Sequence, residues 1–464
     1  MELDFLNNKS TIFLIAVALS SLLALIMPYS WIAVAALLFA FFIYQYKQDF
    51  ILILVIVAYL VVTGDDAEKI RNVINIFALG MLVLLFIQKY GVRYKAYPKV
   101  PKEVIHFLTF LFFTLSISTI FSKDNIAGIA SILRLAVFLG ICYIFYSFIE
   151  NRKTVYLYIT ALFLSVIVLG GSIFISLADS GFSFIKLQGN LARFAGLYEN
   201  PNYAGLLLVV SAPLLIALFF FDSFKSLKKR TLLVLFLLLN VIILLLADSR
   251  ASMLSITVSG IFIIYNLNRS LFYKIFFTVV ITSAILIMIP AVQDFLLLFL
   301  RLNRISNRDY FWNTGIDIIK AYPVFGVGPD MFQKYFFTYM PSAVTRYYSS
   351  GAWIVGKPHP HNFFIFFTAE NGILGFISSI YFWVLFFYMA AKTIRLTKPI
   401  SKKYYNLSVA FTSIGIGVFA RSFFEITGYL TYGFITRDLP FWLIFIILIF
   451  IYRKVKMEKV QELA

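Results

Sequence analysis

Lys228-Lys-Arg230 is followed by TLLVLFLLLNVIILLLA at 231–247, then by Asp248-Ser-Arg250, then by ASMLSITVSGIFIIY at 251–265. An uncharged run of this length, closed at both ends by charge, is near the ~20 apolar residues that a helix needs to cross hydrocarbon. The three-residue connector leaves room only for a tight reversal, so the two runs read as antiparallel neighbours in a bilayer. Lipid offers no partner to backbone polar groups, and a helix satisfies them within one segment.

Working outward, the same signal repeats. Apolar runs fall near 11–27, 31–44, 50–63, 73–88, 104–121, 128–149, 154–177, 202–221, 273–290, 363–391, 404–420 and 439–452, which with the first two gives fourteen spans. The third is short, and the second and third also read as a re-entrant pair. Of the 464 residues, 61% are apolar and 13% charged, against roughly 45–50% and 25% in soluble domains. A single soluble core is excluded. The expectation is an all-α, polytopic membrane protein of about 12–14 transmembrane helices, one integral membrane domain over 1–464. The lone cysteine, Cys142, sits inside an apolar run, which excludes a disulfide framework and a thiolate metal site. The first run ends without a small-residue cleavage signal and reads as a retained anchor.

With both termini placed in the cytoplasm, the inner side collects 24 cationic and 8 acidic residues and the outer side 15 and 14, with Arg134 inside a span. The net charge of +18 is therefore a positive-inside bias and no sign of nucleic-acid binding, which calls for a basic soluble face. Two outer loops exceed minimal connectors, 178–201 and 291–362. Long loops in compact proteins are usually functional. The second is rich in aromatic residues, which suit headgroup depth or stacking on sugar faces.

Ionisable groups at span ends are costly and informative. Arg193 and Glu199 precede the run 202–221, with Asn200 and Pro201 suited to start its helix and Asn202 next; Arg193 and Glu199 also read as a pair. Arg250 lies in the tight Asp248-Ser-Arg250 turn, where snorkelling is the plainer account. Arg301, Arg304 and Arg308 share a helical face that would suit anionic headgroups; Arg308 is the best of them as a site residue. His359-Pro-His361-Asn362 precede the run 363–391, with Glu370 two turns into it. Guanidinium groups bind phosphate oxygens in bidentate fashion, which points to a lipid phosphate or diphosphate. No D-x-D, H-E-x-x-H or dense carboxylate cluster marks the outer face, so no metal and no cofactor are expected. Arginines would then stabilise a leaving diphosphate while a base, His361, activates an acceptor hydroxyl. That describes glycosyl transfer from a lipid-diphosphate sugar.

At these residues the chain resembles the O-antigen ligase and O-antigen polymerase superfamily. His361-Asn362, nine residues, then Gly372-Ile-Leu-Gly375 is similar to that family's H-[NSQ]-x9-G-x-x-G signature, supported by Arg193, Gly196, Asn202, Ser249-Arg250, Pro323, Gly326 and Gly328. The resemblance covers a ligase-like core at 202–390 and a periplasmic catalytic loop at 291–362. It implies a GT-C-like fold in the bacterial inner membrane and metal-independent, inverting transfer from an undecaprenyl-diphosphate glycan. The acceptor is a lipid A core sugar or another glycan, as in lipopolysaccharide and other envelope polysaccharide synthesis. It implies His361 as base with Glu370 as a second catalytic residue, Arg193 with Arg250 or Arg308 on the diphosphate, and Glu199, Asn202, Asn362 and Gly372 in support.

Polymerases and protein O-oligosaccharyltransferases of the same superfamily use the same machinery. A flippase or transporter is the reading from another class. Transporters carry ionisable residues near the midplane and repeated halves, whereas here the polar residues gather at one face and no repeat is seen. On this map, reporter fusions at Lys228 and Ser342 should report opposite compartments; the same compartment for both would overturn it.

Overall fold

The computed structural model describes residues 48–61, 68–91, 97–183, 193–198, 200–221, 225–293, 308–340 and 358–463. The runs 11–27 and 31–44, Glu199, Arg301 and Arg304 lie outside them. Every regular element among the described residues is an α-helix. In chain order these are α1 (Gln48–Val61), α2 (Glu68–Tyr90), α3 (Lys102–Ile120), α4 (Asn125–Phe148), α5 (Arg152–Asp179), α6 (Pro201–Leu218), α7 (Leu227–Ala247), α8 (Arg250–Leu267), α9 (Arg269–Leu286), α10 (Arg308–Ala321), α11 (Phe332–Tyr339), α12 (Phe363–Ile400), α13 (Lys402–Ser422) and α14 (Ile435–Leu463). Ten are long and apolar enough to cross a membrane, and the protein is a multi-pass membrane protein. The 14-residue α1 is about 21 Å long, short of the hydrocarbon thickness. α13 falls outside the ten because Lys402, Lys403, Asn406 and a series of Ser and Thr residues dilute its apolar character. It is nonetheless buried along most of its length.

The interior is built around α6, whose residues from Ala204 to Leu215 are all buried. α8 packs on α6 and on α13, and α12 on α13, α3 and α14. Small residues let these backbones approach, as membrane helix interfaces favour. A Cβ on Gly417 of α13 would lie 2.1 Å from Ser259 Oγ and 2.5 Å from the Ser255 carbonyl of α8. One on Gly205 of α6 would lie 2.4 Å from Ser252 Oγ. The Ser259 hydroxyl donates to the Ser413 carbonyl at 2.8 Å. Short connectors alternate the helix directions, so the starts of α6, α8 and α12 and the end of α13 gather at one end of the bundle.

At that end α12 is broken. Gly372 has φ 62° and ψ −153° inside the helix. The interruption frees two carbonyls and an N–H that the segment 323–328 takes up: Val327 N–H donates to Ala369 O (3.1 Å) and Gly328 N–H to Glu370 O (2.8 Å), while Ile373 N–H donates to Pro323 O (3.0 Å). The two strands of backbone lie so close that a Cβ on Gly372 would be 2.1 Å from Val324 O, and one on Gly326 2.3 Å from the Glu370 carbonyl. The spacing from His361 to Gly372 thus records where a helix must break to receive the loop.

Gly372→Ala should therefore destabilise the protein by at least about 1–3 kcal/mol from backbone strain alone, with the clash added. Gly140→Ala, on α4 with nothing within 4 Å of the new methyl, should be neutral or slightly stabilising. Thermal unfolding of the two purified variants in one detergent checks the contrast; equal midpoints would refute it.

Candidate active site

Three segments far apart in sequence converge on one carboxylate. Glu425, in the linker between α13 and α14, has a side chain only 1% exposed. Its Oε1 accepts from Asn202 Nδ2 at 2.7 Å and Arg308 Nη2 at 3.3 Å, and both its oxygens lie 3.3 Å from His361 Nδ1. Asn202 stands in the first turn of α6, set there by Pro201 at N1 and by the Asn200 side chain, which accepts from Asn202 N–H at 2.9 Å. Its carbonyl accepts from Arg421 Nη2 at 2.8 Å, and its side-chain oxygen from Arg193 Nη2 at 3.0 Å. Arg193 also donates through Nε to the Ala247 carbonyl, 3.3 Å away, which ties the segment before α6 to the turn that carries Arg250.

His361 is held in the left-handed region, φ 47°, an uncommon conformation for a residue with a Cβ. The strain is fixed on the helix side by Asn362, the N-cap of α12. Its Oδ1 accepts from Ile365 N–H and its Nδ2 donates to the Phe423 carbonyl, both at 3.1 Å, so the cap links His361 to the linker that carries Glu425. A carboxylate facing Nδ1 favours the tautomer that carries its proton there, which leaves Nε2 as the acceptor. His361 is 22% exposed and Arg308 24%, so both are reachable while their anchor is not.

Burial would push the Glu425 carboxyl up. The charge and hydrogen bond of His361, then Arg421, outweigh it and bring the group down to about 2. Burial lowers the Arg308 guanidinium from its ordinary value, Glu425 opposes this, and Arg250 and Arg421 add to it; the same interactions show that Arg250 stands close to Arg308. His359 packs on His361, ring centroids 4.1 Å apart. Burial holds it well below the usual histidine range, and its enclosed Nδ1 has no partner.

The structure thus brings Arg193, Asn202, Arg250, Arg308, His361 and Asn362 together. It places Glu370 elsewhere. That carboxylate is 1% exposed and accepts from Phe332 N–H (2.8 Å), Asp330 N–H (3.1 Å) and the Tyr432 hydroxyl (2.5 Å). It holds the start of α11, where an anion suits the helix N-terminus, and has no bond to His361. Ser249 does not cap α8 with its side chain; its hydroxyl pairs with that of Ser252 at 2.9 Å. Gly372 lies at the break in α12. Arg134 leans out of its span to the Tyr432 carbonyl (2.9 Å) and to Asp330 Oδ2 (3.1 Å). The residues that sequence reasoning missed are Glu425 and Arg421. The available signal was that both are ionisable and flank the end of an apolar run.

Residues 232–380 match the family model described as O-Antigen ligase. The match takes in Arg250, Arg308, His361 and Gly372, and leaves Arg193, Asn202, Arg421 and Glu425 outside it. No curated protein matches the chain.

An unfolded glutamate titrates near 4.5 and folded Glu425 near 2. Its contribution to stability is complete above about 4.5 and is lost as the pH falls toward 2. The melting temperature of the wild type should accordingly drop below pH 4.5. Glu425→Gln, which strands buried cationic groups, should lose on the order of 3 kcal/mol at pH 7 and show a smaller drop in acid. Unfolding followed by tryptophan fluorescence from pH 7 to 3 checks this, and parallel curves for the two proteins would contradict it.

Proposed function

We propose, from the match of residues 232–380 to the O-antigen ligase family model, that the protein moves a glycan from an undecaprenyl-diphosphate carrier to a hydroxyl of a lipid A core sugar. The reaction takes place at the periplasmic face of the inner membrane, with both termini cytoplasmic. The observation that carries the reading is the hub at Glu425, which aims a reachable imidazole and a reachable guanidinium into the same space. A histidine whose Nδ1–H is tied to a buried carboxylate presents Nε2 as a base and is steadied when it becomes imidazolium. Arg193, Arg250 and Arg308 approach that space from three elements, as clamping a diphosphate requires.

The step follows from this placement. The acceptor oxygen attacks the anomeric carbon of the donor sugar as its proton passes to His361 Nε2. The bond from the anomeric carbon to the diphosphate oxygen breaks with inversion, and the leaving group's negative charge falls to the arginines. Glu425 and Asn202 act as positioning residues, keeping His361 and Arg308 at a fixed spacing. Glu370, tied to Asp330, Phe332 and Tyr432, is a positioning residue for the start of α11. Three guanidinium groups match the charge of a diphosphate, so the proposed mechanism runs without a metal ion. The gathering of ionisable groups at one end of the bundle favours an enzyme over a conduit.

Purified His361→Ala should lose transfer by about 10² to 10⁴ while retaining binding of the diphosphate-linked donor, whereas His359→Ala should be milder. Arg308→Lys should weaken donor use because a point charge does not replace the planar fork. EDTA should leave the wild type active. Near-normal turnover by His361→Ala, or equal loss of donor binding and rate, would remove His361 from the base role. In a deletion strain, polysaccharide that no longer reaches lipid marks a ligase; single-repeat products mark a polymerase instead.

A further inference from the structure

Arg437, in the first turn of α14, lies at the same end of the bundle as the Glu425 hub and takes no part in it. Its guanidinium carbon sits 4.6 Å from the centre of the Tyr203 ring and 4.7 Å from that of Phe434. Phe434 in turn carries Arg134 at 4.0 Å. The two arginines differ in their partners. Arg134 is paired with Asp330, whereas among the described residues no carboxylate pairs with Arg437. Its neighbour Asp438 feels the charge of Arg437 without forming an ion pair with it, and its oxygens accept from the Thr431 backbone N–H at 2.7 Å and hydroxyl at 2.8 Å.

Aromatic rings attract a guanidinium through its cationic charge. They accept none of its in-plane N–H bonds, so the fork that matches a carboxylate or a phosphate is left for a ligand. Arg437 is half-buried and its shelf adjoins the reacting groups. Tyr203 directly follows Asn202, whose side chain holds Glu425. On the other side lies His359, which packs on His361 and which both Arg308 and Arg437 disfavour as a cation.

We propose that Arg437, held by Tyr203 and Phe434, is a subsite for an acidic sugar of the glycan substrate, taking its carboxylate or phosphate in the guanidinium fork. The inference rests on the reading of the His361 centre as one that handles glycans. It gives that centre a preference for a charged sugar beside the point of transfer, with the oxyanion kept apart from the diphosphate arginines.

Saturation-transfer NMR on the full-length protein in lipid nanodiscs tests it with three probes. These are methyl glucuronide for a carboxylate, glucose 6-phosphate for a phosphate, and methyl glucoside as the neutral control. At least one acid should take up saturation from the wild type, and which of the two does so identifies the oxyanion; the glucoside should not. Arg437→Gln should weaken that signal about tenfold or more, and Arg308→Gln should leave it. Equal signals from acid and neutral sugar, no loss in Arg437→Gln, or an equal loss in Arg308→Gln would overturn the subsite. Should Arg437→Gln fail to fold, Arg437→Lys decides, since undiminished binding by that variant removes the fork. Transfer lost in His361→Ala without any acid preference defeats this subsite alone. Acid preference with a fully active His361→Ala defeats the transfer centre alone.

Discussion

A carboxylate shut away from water has to be met by positive charge or by hydrogen-bond donors, because an unpaired ion in such a place costs several kcal/mol. Glu425 meets that demand by drawing on α6 through Asn202, on α10 through Arg308 and on the approach to α12 through His361. None of these segments is near another in sequence, and the burial of a single side chain obliges them to assemble. The end of the bundle is organised by this demand more than by apolar packing, which in lipid gives helices little reason to prefer one neighbour over another.

Two buried glutamates do different work. Glu370 takes backbone N–H groups and a phenol and so freezes a loop. Glu425 takes side chains that are themselves able to touch a substrate. The close approach of α6, α8 and α13 over serine and glycine sets the separation at which Arg193, Asn202 and Arg250 arrive. The kinked α12 delivers His361 from the opposite side. Rigidity comes from the backbone contacts and chemistry from the polar ones.

Hydropathy made the helices legible because each span must satisfy its own backbone, and that constraint is written locally. The turn at Asp248-Ser-Arg250 and the helix start at Asn200-Pro201 were legible for the same reason. Glu425 was not, since nothing local distinguishes a loop glutamate that will be buried 64 positions after His361 from one that will face water. The placement of Glu370 was not legible for a related reason. Two helical turns from His361 looks near in sequence, but its carboxylate is aimed at Asp330, Phe332 and Tyr432, on segments that only tertiary contact brings alongside. The glycine at 372 was visible as part of a spacing. Its physical meaning, a helix opened to admit the 323–328 backbone, belongs to the fold.

That opening also fixes an order of events. Were α12 to settle first, the carbonyl of Ala369 would lack its donor and that of Glu370 would keep only the Ser118 hydroxyl, at the rim of a membrane, a costly state for backbone groups. The 323–328 segment that supplies the donors comes earlier in the chain, so it is synthesised before the helix that needs it. A protein in which these two segments exchanged places along the chain would have to hold a half-finished helix in lipid until its partner emerged.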